Sequence, residues 1–210
     1  MKDKYRITLP KIILHSKTIL QHKFWVFVYC YKAGIPIRGF LHDISKFSPT
    51  EYLNNIKYTE KGISPIDIQK KVDGYSPSWI HHKSHNSHHY EYWMDKFDNG
   101  GFTTRMPFKD LLECACDMVA ANRVYNGKSP NEYDNLWKYW IKKRNGISMH
   151  PDNVAFLNNI FLHMKITKKF WLDNRTKIKS IYTSILSISI HPLQMPISEA
   201  KKINTYADKS

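Results

Sequence analysis

Glycine, cysteine and long apolar runs are scarce in this chain of 210 residues, which contains 8 glycines and 3 cysteines. Scarce glycine, with prolines placed mainly beside serine or histidine, is more typical of a helical chain than of a sheet. The cysteines, Cys30, Cys114 and Cys116, show no disulfide spacing, so we expect small core residues in a reducing compartment. The apolar run at residues 24–31 is shorter than the ~20 residues of a transmembrane helix. No signal peptide is visible after Met1. We therefore expect a soluble, cytoplasmic protein with no membrane partner.

Acidic residues are also in deficit, since 18 Asp and Glu stand against 32 Lys and Arg and give a net charge of +14. Such a charge favours anionic partners, including nucleotides, nucleic acid and membrane phosphate. The charge is dispersed without a polybasic block, so a solvated lysine-rich surface explains it equally well. The hydrophobic fraction of 42% excludes a disordered chain.

Apolar periodicity predicts an all-α fold. The pattern predicts one long buried helix over residues 10–31, with His15 and His22 a heptad apart on the same face. Residues 37–47 have apolar side chains at helical spacing, which predicts an amphipathic helix with His42 and Asp43 beside its buried stripe. A third helix begins after Pro107 and is apolar nearly all round, so it should be central.

Two capping-box patterns, residues 48–51 and 129–132, predict further helix starts. Another helix is expected after Pro151, and residues beyond 165 are left unassigned. We expect a single-domain helical bundle over residues 1–150, with residues 151–210 as a helical, basic extension that packs on it.

The stretch Leu41-His42-Asp43-Ile44-Ser45-Lys46 places an imidazole and a carboxylate on adjacent residues. This mixture of ligands suits Mn, Fe, Co, Ni or Zn better than a thiolate site would. The two carboxylate oxygens of Asp43 allow it to bridge two ions. Taken alone, the doublet is more typical of a surface pair or of a helix-end interaction than of a metal site.

Two further features give the doublet partners. Asp117 lies on the apolar central helix, where an ionised carboxylate is costly unless it is metal-bound or paired with Arg123 or Lys46. Residues 81–89 contain five histidines, which are either ligands or a solvated loop. Spacing alone does not select among them. Our hypothesis is that these residues and His22 converge on one metal site.

The order of these elements resembles the HD-domain superfamily of metal-dependent phosphohydrolases, with His22, the doublet, the histidine cluster and then Asp117-Met118-Val119-Ala120-Ala121-Asn122-Arg123. Residues 42–49, the pairs His81-His82 and His88-His89, and Met106-Pro107 are similar to an uncharacterised family frequent in tailed-phage genomes. A viral origin would place the protein in the host cytoplasm. The resemblance covers residues 10–145.

This resemblance implies a set of ligands and one or two divalent transition metal ions. The core ligands that it implies are His22, His42, Asp43 and Asp117. For a second ion it implies two of the cluster histidines, with His82 and His89 preferred and His81 and His88 as alternatives. Lys46 would face a substrate phosphate. Ser45 departs from the glycine usual in the family, and His15 is a rival to His22 because the first two histidines lie closer together than expected.

The function expected from these residues is hydrolysis of a small phosphorylated substrate such as a nucleotide or another phosphate ester. Asp43 would bridge the ions, Lys46 and Arg123 would neutralise phosphate charge, and Glu91 or a histidine outside the ligand set would transfer the proton. One alternative is a di-iron oxygenase of the same superfamily. Others are a non-catalytic protein that binds nucleic acid or a host factor, and a purely structural metal.

Overall fold

Proline and serine set the starts of many helices in the computed structural model, which describes residues 5–95 and 100–206. Within these ranges, six helices have proline in the first turn. Backbone N–H groups have no acceptor within the helix at this position, so proline loses no hydrogen bond there. Ser48 caps its helix as predicted, accepting from the backbone N–H of Glu51. The second predicted cap, at Ser129, is wrong, because that helix begins at Glu132 without a side-chain cap.

The described residues form a predominantly helical single domain, which confirms the predicted all-α class. The α-helices are α1 (Leu9–Lys32), α2 (Pro36–Leu41), α3 (Pro49–Lys57), α4 (Pro65–Asp73), α5 (Pro77–His85), α6 (Phe108–Asn126), α7 (Glu132–Arg144), α8 (Pro151–Thr167), α9 (Arg175–Ile188) and α10 (Ile197–Tyr206). Short 3₁₀ turns cover Ile44–Phe47 and Tyr90–Trp93. None of the helices in the described part of the chain is both long enough and apolar enough to cross a membrane.

A small antiparallel sheet, which the sequence did not predict, joins distant parts of the chain. Its strands are β1 (Met94–Asp95), β2 (Phe102–Thr104) and β3 (Gln194–Pro196), in that order across the sheet. Thr103 of β2 lies opposite Met94 on one side and Met195 on the other. The strands are too short for alternation to be recognisable in the sequence.

The core is built on α6, as its all-round apolar pattern predicted. Leu111, Leu112 and Val119 of α6 are fully buried, as are Phe156 and Phe161 of α8. All five belong to one hydrophobic cluster. The hydrophobic core is therefore continuous across residue 150, where we had expected the main domain to end.

The predicted helix over residues 37–47 is wrong in extent and in orientation. Helix α2 ends at Leu41, and Ile37 and Phe40 are 75% and 71% exposed. The buried face carries Gly39 instead, where an added Cβ would lie 2.5 Å from the Cβ of Cys30. The absence of a side chain at Gly39 lets α2 pack directly on α1, and this packing brings the His42-Asp43 doublet towards His22.

Candidate metal centre

His42 and Asp43 occupy a tight turn rather than a helix. Asp43 has φ +52° and ψ +32°, a left-handed conformation that is uncommon for a residue other than glycine. Lys23 donates to the carbonyl oxygen of His42 and holds the turn against α1. Unusual backbone of this kind persists where the surrounding structure enforces it, often at functional sites. The turn directs both side chains into the interior, where they are almost fully buried.

One oxygen of Asp43 faces the histidines of α1 and of the turn. Its Oδ2 lies 3.1 Å from Nε2 of His42 and 3.7 Å from Nε2 of His22. Asp117 approaches from α6, with Oδ1 at 2.9 Å from Nε2 of His22 and 3.7 Å from Nε2 of His42. The four core residues that the resemblance implied therefore lie together. His15 is not among them, since its Nδ1 lies 3.2 Å from the hydroxyl of Thr59.

The other oxygen of Asp43 faces the histidine cluster. Its Oδ1 lies 3.3 Å from Nε2 of both His82 and His88. Nε2 of His89 is 2.9 Å from Nε2 of His82. Three histidines thus converge here: the preferred pair, His82 and His89, and the alternative His88.

The remaining cluster histidines lie outside this convergence. Nδ1 of His81 is 2.7 Å from Oε1 of Glu51, and the ring of His81 stacks on that of His85 at 4.0 Å. Helix α5 presents His82 inward and His81 outward, and Asn86 ends the helix by donating to the carbonyl oxygen of His82. The chain then reverses, so that His88 returns to the buried side.

Two glutamates that the sequence analysis did not select orient these rings. Oε1 of Glu113 lies 2.9 Å from Nδ1 of His42 and 3.3 Å from Nδ1 of His88. Oε2 of Glu51 lies 2.8 Å from Nδ1 of His82. A carboxylate on Nδ1 fixes the ring and leaves Nε2 free to bind a metal, the usual arrangement around metal-bound histidine.

Sequence signals for both glutamates were present. Glu113 lies three residues after Asp110 and four before Asp117, so these three carboxylates share one face of α6. Arg38 bridges Asp110 and Glu113 from α2, with its Nε 2.6 Å from Oε2 of Glu113. Glu51 was interpreted only as a capping-box residue, but its side chain is directed to the histidines instead.

Burial and neighbouring charges shift the pKa of several groups in the centre. Burial raises the pKa of the Asp43 carboxyl, but His42 and Lys46 outweigh that effect and hold the pKa well below its usual value. Burial lowers the pKa of His22 and of His89, which favours the neutral, metal-binding form of both rings. The pKa of Glu113, which burial would raise, is lowered to about 2 by hydrogen bonds from His42 and His88.

The donor atoms fit a metal ion. Nε2 of His22, His42 and His88 and Oδ1 of Asp43 are buried and make no hydrogen bond of normal geometry. Such orphaned polar atoms are rare in protein interiors and call for a specific explanation. Two of the sets whose ligand atoms lie within 4.8 Å of one another share Asp43: His22, His42 and Asp43; and Asp43, His82, His88 and His89. These buried clusters could hold a metal ion.

A third such set, His42, His88 and Glu113, meets through the other ring nitrogens. We interpret it as orienting contacts, because both oxygens of Glu113 already face donors. The two sets that share Asp43 are therefore the better metal sites.

The three other predicted catalytic residues are placed differently. The ammonium of Lys46 lies 2.6 Å from Oδ2 of Asp43, beside the cluster. Glu91 lies on the wall of an adjacent cavity. Arg123 does not reach the centre: it is six residues beyond Asp117 on α6, faces another side, donates to the hydroxyl of Tyr29 at 2.6 Å and stacks on Trp25.

The cavity has a volume of about 680 Å³ and reaches the metal centre at His89 and Asp117. Lys70, Lys143 and Glu91 all line it, so two positive charges and one carboxylate border the same cavity. Its size is within the range of ordinary small-molecule sites. The aromatic residues of its lining are Trp79, Tyr125 and Tyr139.

Residues 11–163 match the model of a family described as "Family of unknown function (DUF5662)". The chain belongs to this family. The matched region contains every residue of the centre, from His22 to Asp117, so the DUF5662 match and the metal centre coincide. Searches of curated proteins and of solved structures found no match.

Proposed function

We propose that this DUF5662 protein is a metal-dependent phosphohydrolase of the HD-domain type, acting on a nucleotide or another phosphate ester. The observation that carries the proposal is the division of Asp43 between two groups of histidines. One oxygen faces His22 and His42, and the other faces His82 and His88. A carboxylate placed in this way is suited to bridge two divalent ions.

The first ion would be held by His22, His42, Asp43 and Asp117, and the second by Asp43 with His82, His88 and His89. The mixture of imidazole and carboxylate ligands suits Mn, Fe, Co, Ni or Zn. Divalent metal at such a site lowers the pKa of a bound water and stabilises the attacking and leaving oxygens of phosphoryl transfer.

The chain's own residues supply binding and proton transfer. Lys70 and Lys143 place two positive charges on the cavity wall and would attract the phosphate, while Trp79 offers an aromatic face to an organic group. Glu91, which lines the same cavity, would exchange a proton with the substrate. Lys46 would hold the Asp43 carboxylate in its ionised form.

The proposal is tested by metal analysis of the purified protein and of the His42→Ala/Asp43→Ala double variant, followed by a panel of nucleotides and simple phosphate esters assayed with Mn, Fe, Mg and Ni. We expect stoichiometric metal and release of phosphate from the wild type only. Metal-free wild-type protein, or equal activity of the double variant, would refute the proposal. Activity that requires oxygen would instead identify an oxygenase.

A further inference from the structure

Helices α1 and α2 expose a large apolar surface on the side away from the core. Its members are 38% to 75% exposed, and we call this surface the apolar face. It consists of Ile13, Leu20, Phe24, Phe27 and Tyr31 on α1 and of Ile37, Phe40, Leu41, Ile44 and Phe47 on α2 and the following turn.

The α1 residues of the apolar face have the spacing of a helix–helix contact. Leu20, Phe24, Phe27 and Tyr31 follow one another at intervals of four, three and four, and Ile13 precedes Leu20 by a heptad. This is the alternation with which one helix packs along another in a coiled coil. The opposite side of α1 carries the buried residues, so the stripe has no partner within the described chain.

Helices α1 and α2 present one continuous surface. Gly39 brings α2 to within contact of Phe27 and Cys30. The ammonium of Lys23 on α1 lies 3.5 Å from the carbonyl oxygen of Phe40 and 5.9 Å from the ring centre of Phe47. The exposed rings that follow Gly39 therefore lie beside the α1 stripe.

The area is sufficient for a stable protein interface. Large apolar side chains have surfaces of about 150–250 Å² when aromatic, so ten that are roughly half exposed present on the order of 1,000 Å². A standard interface needs about 800 Å² from each partner. The largest apolar patch of a typical monomer is about 300–600 Å². The apolar face exceeds that size.

Charge distinguishes between a membrane and another protein chain as the partner of the apolar face. An anionic membrane would be expected to bind a surface bordered by free lysine and arginine side chains. Most basic side chains of α1 and α2 are engaged elsewhere, and Lys17 is the exception that lies on the stripe. The engaged side chains are Lys11 with the carbonyl of Lys57, Lys23 with that of His42, Lys32 over the ring of Phe170, and Arg38 with Glu113.

We propose that two copies of this chain associate through their apolar faces, with α1 packed against α1 of the partner around a twofold axis. A nearly uncharged face allows two molecules of charge +14 to meet. Because the remaining long-range repulsion is screened by salt, the dimer tightens as ionic strength rises. The interface also covers Leu41 and Ile44, the neighbours of His42 and Asp43, and so supports the turn that carries them.

The test is sedimentation equilibrium of the wild type, Phe24→Glu and Phe40→Glu, with Ile166→Glu as a matched control. Ile166 is 69% exposed and lies on α8, away from the apolar face. We expect a wild-type dimer, a dissociation constant raised at least ~30-fold by each substitution on the face, and an unchanged control. Circular dichroism and thermal unfolding verify that the variants are folded.

A wild type that stays monomeric up to its solubility limit would overturn the proposal, as would a dimer unaffected by both substitutions. A dimer that dissociates with added salt would also contradict it. Cosedimentation with vesicles of phosphatidylcholine and phosphatidylserine tests the alternative that the apolar face binds a membrane. If monomeric wild type binds these vesicles and Phe24→Glu does not, the apolar face contacts a membrane and the proposed dimer is excluded.

Discussion

Replacing Glu113 with glutamine tests whether the carboxylates on Nδ1 orient the metal-binding histidines. Glu113 accepts from Arg38 on one oxygen, while the other oxygen lies 2.9 Å from Nδ1 of His42 and 3.3 Å from Nδ1 of His88. Glutamine has the same shape but only one acceptor oxygen. In either orientation of the amide, an N–H group of glutamine faces another donor, either Arg38 or the two rings.

The expected loss follows from these contacts. A hydrogen bond to a charged group contributes about 1.5–3 kcal/mol, and losing the orienting partner of a metal ligand weakens metal binding roughly 10- to 100-fold. The two values agree, because a tenfold change corresponds to about 1.4 kcal/mol. We therefore expect the Glu113→Gln variant to bind two ions, as the wild type would, with dissociation constants raised by this factor.

The assay is competition for Mn or Zn against a chelating indicator. Glu132→Gln is the matched control, since Glu132 is also buried near an arginine, Arg123, but touches none of the histidines. If the metal dissociation constant of Glu113→Gln stays within about twofold of the wild-type value while Asp43→Ala loses metal binding, Glu113 does not orient the ligands. An equal loss in Glu132→Gln would show that the effect is a general loss of stability.

Three further outcomes follow. His82→Ala should lose one bound ion, whereas His81→Ala at the adjacent position should retain both in metal analysis, because only His82 directs Nε2 towards Asp43. Gly39→Ala should destabilise the protein by about 1–3 kcal/mol in urea unfolding, since its Cβ would meet that of Cys30; unchanged stability would mean that α2 is free to shift. Burial, followed by the charge of Lys46, lowers the pKa of His15 to about 4. The unfolded chain binds that proton first, so stability should fall as pH drops from about 6.5 towards 4, and His15→Asn should show a flatter dependence in the same unfolding series.

Several parts of the centre were visible in the sequence because their residue types are costly in the wrong place. Asp117 stands in an apolar helix, and a carboxylate there requires a partner. The prediction that it lies with His22, His42 and Asp43 matches their positions in the structure. The all-α class was likewise predictable, since helical periodicity extends over most of the chain.

Apolar periodicity did not determine which faces are buried. The pattern at residues 37–47 showed that one side is apolar, but whether another element covers that side depends on where the rest of the chain packs. Gly39 and Arg38 take the inward positions of α2, because one permits close approach to α1 and the other pairs with Glu113. The apolar side is therefore left outside.

Tertiary structure also determines which of the five histidines lie together. Five imidazoles in nine residues indicate metal chemistry, but only the end of α5 at Asn86 and the reversal after it place His88 beside His82 and leave His81 outside. Glu51 and Glu113 acquire their roles through rings that are distant in sequence. The sequence alone thus determined the kinds of ligand present, because composition and burial cost are local properties. Which atoms meet was decided by the tertiary structure, because convergence depends on how α1, α2, α5 and α6 pack together.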